Sequence, residues 1–75
     1  MNYEMIYAHS DNDIPGSLPL RANTDEQAIN EVRAFVEDGF RNGTWGSIEF
    51  ADGSGYICHN RYGRAEGCQL PAFVQ

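Results

Sequence analysis

The spacing of apolar positions changes along the chain, and each change marks an element. Tyr3, Met5 and Tyr7 alternate with Glu4, Ile6 and Ala8, the two-residue period of a strand, and both phases are largely apolar. Such a strand is predicted to lie inside a sheet, covered in part on each side. Turn formers then crowd together from Ser10 to Ser17, including Pro15 and Gly16. Leu18 to Ala22 can extend briefly, and Pro19 restricts that segment to an edge because it has no N–H to donate.

The next period is helical. Ala28, Ile29, Val32, Phe35 and Val36 fall on one side of a helix placed over residues 25–38. Asn23 and Thr24 offer N-cap oxygens, Glu26 or Gln27 can complete a capping box, and Asp25 and Glu26 suit the positive end of the helix dipole. Gly39 is the expected stop, with Phe40 folding back on the last turn.

Two further runs, Trp45–Phe50 and Tyr56–Arg61, flank Ala51-Asp52-Gly53-Ser54-Gly55, a hairpin signal. With a loop of two or four residues, Ile48, Phe50, Ile57 and His59 share the face turned to the helix. Trp45, Ser47, Glu49, Tyr56, Cys58 and Asn60 share the other. Beyond the Tyr62-Gly63-Arg64 turn, residues 65–75 form a short edge strand or a tail, with Pro71 against a longer strand. The expected fold is a single two-layer α+β domain over residues 1–75. It is an antiparallel sheet of three to four strands in β-α-β-β order, with one amphipathic helix on one face.

Size limits what such a domain can do. A chain of 75 residues and 8.4 kDa buries about 60% of its unfolded surface, which argues against a deep cleft for a large cofactor. No cofactor is expected. The 41% apolar content with nine aromatics is that of a packed fold. Five Arg, no Lys and eleven carboxylates give a net charge of −6, which disfavours direct nucleic-acid binding and suits a basic or nucleic-acid-binding protein partner. The N-terminus lacks a signal-peptide pattern and no apolar run approaches a membrane span, so a cytoplasmic protein without membrane contact is expected.

Sites of chemistry are sparse in the sequence. Asp11-Asn12-Asp13-Ile14-Pro15-Gly16 begins like a calcium loop, but Pro15 and Ala22 stand where ligands are required. His9, Cys58, His59 and Cys68 are zinc-type residues without chelating spacing, and adjacent Cys58 and His59 point to opposite faces of a strand. Two cysteines are too few for a disulfide framework, which favours reduced thiols. A Cys-His nucleophile pair would lack an orienting carboxylate and an oxyanion site. No catalytic or metal residue is assigned, and the reading is non-enzymatic.

Interaction chemistry is better represented. On the helix, Glu26, Asn30, Arg33 and Glu37 form one exposed stripe, and Gln27, Glu31, Ala34 and Asp38 the next. Trp45 and Tyr56, with Tyr62 and the Arg61/Arg64 pair nearby, are residue types enriched at interfaces. The expected partner-binding set is Glu26, Glu31, Glu37, Asp38, Trp45, Glu49 and Tyr56. A self-associating homodimer is the alternative, because small cores often need one.

The Tyr-rich first strand, the helix start Asn23-Thr24-Asp25-Glu26-Gln27-Ala28 and the hairpin from Ile48 to Tyr56 together resemble the layout of small anti-CRISPR proteins encoded by phages. The resemblance implies an inhibitor that binds a CRISPR effector or its nuclease and blocks DNA access, sometimes by acidic mimicry. Moderate charge and the Arg61/Arg64 pair depart from simple phosphate imitation.

Overall fold

The computed structural model describes residues 2–38 and 42–71. They form β1 (Glu4–Ala8), β2 (Gly16–Pro19), α1 (Asp25–Glu37), β3 (Trp45–Glu49), β4 (Gly55–Arg61) and β5 (Arg64–Leu70). The strands make one antiparallel sheet in the order β2-β1-β3-β4-β5. The domain is therefore α+β with five strands rather than three or four, and its order is β-β-α-β-β-β.

The two strands missing from the expected order are the two edges. β2 carries Pro19 and pairs only with β1, as an edge position allows. β5 is the edge strand that the sequence offered over residues 65–75 as an alternative to a tail, and it forms without a single β-branched residue. A two-residue turn brings it against β4, with Arg61 opposite Arg64 and both Tyr62 (φ 56) and Gly63 (φ 87) left-handed, the type I′ geometry that matches strand twist. β1 is interior, between β2 and β3. Residues 72–75 of the expected tail lie outside the described residues.

Helix α1 begins as its sequence implies. Thr24 is the N-cap and its Oγ1 accepts from the Gln27 N–H at 3.2 Å, while Gln27 Oε1 accepts from the Asn23 N–H at 2.9 Å. Asp38 is the C-cap, its N–H donating to the Ala34 carbonyl; the expected Gly39 stop and Phe40 contact lie outside the described residues. Ala28, Val32 and Val36 are fully buried against Met5, Ile48, Phe50, Tyr56 and Cys58, with Ile29 and Phe35 partly buried beside them. Gly46 sits under the helix. A Cβ there would come within 3.0 Å of Met5 Sδ and 3.3 Å of Val36 Cγ2, so a bare backbone lets the layers close.

The parity of β4 is the chief correction. Glu49 pairs with Gly55, so residues 50–54 form a five-residue loop, closed by Phe50 N–H to the Ser54 carbonyl at 2.7 Å. An odd loop inverts every side chain of the second strand relative to an even one. Tyr56, Cys58 and Asn60 therefore face the helix, and Ile57 and His59 turn to the opposite side with Trp45, Ser47 and Glu49.

Candidate interaction surface

Each predicted partner-binding residue has a definite place, and they do not converge. Tyr56 is buried under the helix, its Oη accepting from Arg33 Nη1 at 2.9 Å. It is core, not surface. Arg33 Nη2 also donates to the Ala65 carbonyl at 3.2 Å, and Glu37 Oε2 accepts from the Ala65 N–H at 3.2 Å. Together these bind the helix to β5 and supply the Ala65 backbone on the side where β5 has no further strand. Hydrogen bonding to Tyr56 raises the Arg33 pKa above its ordinary value. Glu31 Oε1 accepts from the Arg21 N–H at 3.1 Å, so this acid ties down the link between β2 and α1.

Glu26 and Asp38 are exposed on the helix layer, whereas Trp45 and Glu49 lie on the far side of the sheet. The seven residues thus divide into structural tethers, a buried ring, an exposed acidic pair on the helix layer, and the half-buried Trp45 with exposed Glu49 on the far side of the sheet. Acid-rich helix spacing alone could not separate a tether from a free carboxylate, because the donating backbone N–H belongs to a distant segment.

The zinc-type residues are likewise dispersed. Cys58 is buried on the helix side and Cys68 is exposed on the other, and both thiols are free. Their side chains point to opposite faces of the sheet, so a bridge would require breaking the β4–β5 register. Burial pushes the Cys58 thiol pKa up. Among the described residues no three His, Cys, Asp or Glu side chains cluster as a metal site. Among the described residues no helix is long and apolar enough to cross a membrane.

What the fold does assemble is the face of the sheet turned away from α1. Strand alternation puts Glu4, Ile6 and Ala8 of β1 on it, with Trp45, Ser47 and Glu49 of β3, Ile57, His59 and Arg61 of β4, and Arg64, Glu66, Cys68 and Leu70 of β5. The register arranges these in rows. Ile6, Ser47, Ile57 and Cys68 form a central row, and Ala8, Trp45, His59 and Glu66 the next. Ala8 is buried yet lies outside the helix-side core, consistent with cover from the indole opposite it. Ile6 and Leu70 are each 38% exposed, a large share for apolar side chains.

Charge is distributed along one diagonal of this face. Glu4 and Glu49, on β1 and the central β3, line a shallow depression of about 510 Å³ at one end of the sheet, together with Ile6 and Leu70. At the far end Arg61 stands directly opposite Arg64, and Tyr62 at the turn is 90% exposed. Arg61 Nε reaches Glu66 at 3.4 Å, an exposed ion pair. The outer face therefore holds three carboxylates and two guanidiniums, whereas the other eight of the eleven carboxylates lie off it. Sequence reasoning missed Ile6, Ile57 and His59 as members of this surface. No family model, curated protein or solved structure matches the chain.

Proposed function

We propose that this chain is a non-enzymatic protein-binding module that inhibits or regulates its partner, with the outer face of the sheet as the contact surface. The supporting observation is the chemistry of that face. Trp45, Ile6, Ile57 and Leu70 stand on a face whose charges, three carboxylates and two guanidiniums, nearly cancel, on a molecule that is otherwise strongly acidic. Half-buried aromatic and branched side chains are the groups that carry interface energy once desolvated.

The remaining carboxylates, Glu26 and Asp38 among them, act at longer range. They draw in a basic partner such as a nucleic-acid-binding protein and repel nucleic acid itself. An anti-CRISPR-like inhibitor working in the cytoplasm, which occupies an effector or nuclease and denies it DNA, is the specific form of this reading. It calls for no cofactor, metal or membrane.

Capture of a partner by the immobilised chain tests the assignment. Trp45→Ala and Ile57→Arg are expected to weaken capture by about thirtyfold, the equivalent of a 2 kcal/mol anchor. Glu26→Arg should alter mainly the association rate and its salt dependence. Full capture by both outer-face variants, with loss in Glu26→Arg, would transfer the contact to the helix layer and refute the assignment.

A further inference from the structure

We infer that the outer face pairs with the same face of a second copy of this chain, in a two-fold arrangement that lays the Glu4/Glu49 end of each protomer on the Arg61/Arg64 end of the other. The inference rests on the reading of that face as a protein-binding surface, for which a second copy and a foreign partner would compete. Three observations lead to it.

The first is that like charges are gathered at both ends of the diagonal and, among the described residues, only Arg61 of the four has an opposite charge within reach, Glu66. Arg61 and Arg64 are direct cross-strand neighbours, an arrangement that costs stability in isolation. Among the described residues Arg64, Glu4 and Glu49 make no ion pair. Charges left this way on one face are satisfied when an oppositely charged end is brought over them.

The second is that the two charged ends lie diagonally across an apolar centre. Ile6, Ser47 and Ile57 separate Glu4 and Glu49 from Arg61 and Arg64. A two-fold axis in the plane of the interface, perpendicular to that diagonal, carries each end onto its opposite and the apolar centre onto itself. This is the self-complementarity that a closed dimer demands.

The third is electrostatic. Most of the net charge of −6 comes from carboxylates off this face, so the outer face is where a second copy meets the least repulsion. A small core also gains from covering Ile6 and Leu70, each more than a third exposed. The depression beside Glu4 and Glu49 has room for a ring such as Tyr62, which stands 90% exposed between the two Arg.

Sedimentation of the full chain over a concentration series reaching about 1 mM tests this. A single monomer–dimer equilibrium that weakens with added salt is expected. The double variant Glu4→Arg/Glu49→Arg places base on base and Arg61→Glu/Arg64→Glu places acid on acid, so each alone should raise the dissociation constant at least about tenfold. An equimolar mixture of the two should recover association, because both contacts are then between opposite charges. All four positions are exposed, so an unchanged far-UV spectrum verifies the fold of each variant.

A monomeric wild type throughout the series overturns the pairing, as does a mixture no tighter than its components, or growth beyond a dimer. If the wild type is monomeric while Ile57→Arg still abolishes capture of a foreign partner, the pairing fails and the binding-face assignment survives.

Discussion

Tyr56 and Gly67 occupy one space: a Cβ added to Gly67 would overlap the hydroxyl end of the Tyr56 ring. The ring lies across β5 in the place of a side chain, and Arg33 Nη1 holds its hydroxyl from above at 2.9 Å. A glycine in a strand without β-branched residues thus reads as weakness in the sequence and serves as a seat in the fold.

Gly67→Ala is expected to destabilise the domain by about 1–3 kcal/mol, the usual cost of overpacking. The same substitution in a Tyr56→Ala background should cost much less, because the ring is gone. Guanidinium melts of the four proteins measure the coupling; additive effects would show that the ring does not occupy the Gly67 position.

Asn60 joins three elements from a fully buried position on β4. Its Nδ2 donates to the Val36 carbonyl at 2.9 Å near the end of α1, and its Oδ1 accepts from the Gly63 N–H at 3.0 Å in the β4–β5 turn. Asn60→Ala leaves these backbone groups without that partner and should cost about 2–3 kcal/mol. Faster hydrogen exchange at Gly63 than in the wild type is the specific sign, since a purely volumetric effect would not single out that amide.

The two thiols differ in reactivity and in their effect on pH dependence. Cys68 is exposed and should react with a disulfide reagent in the native state, whereas buried Cys58 should react only on unfolding. Burial raises the folded-state pKa of Cys58 above its unfolded value, so the neutral thiol leaves stability intact below the unfolded pKa. Stability then falls as pH rises from about 8.5 towards the higher folded value. Cys58→Val should flatten this alkaline loss in denaturant melts at pH 7 and pH 10; an unchanged slope would assign it to other groups.

Tyr62 holds a left-handed conformation (φ 56) that asparagine adopts more readily, and its side chain is 90% exposed. Tyr62→Asn is expected to stabilise the monomer by about 0.5–1 kcal/mol, an increase of several degrees in melting temperature for a chain of this size. The same variant should weaken self-association if the ring enters the depression beside Glu4 and Glu49. A variant that is more stable and associates less would indicate that the strain is retained for contact and not for folding.

Local chemistry made part of this molecule legible in its residues. The Thr24 cap, the spacing from Ala28 to Val36 and the doubly apolar Tyr3–Ala8 run specify α1 and an interior β1, because those signals are contained within a few turns or residues. Only the tertiary structure decided which face each ring and carboxylate occupies. One additional loop residue between Glu49 and Gly55 turns Tyr56 inward and Ile57 outward, since strand side chains alternate with a period of two and backbone pairing fixes the register. The carboxylates follow the same logic. Glu31 and Glu37 became tethers because the Arg21 and Ala65 amides pass within reach, a meeting arranged by packing between segments far apart in the chain.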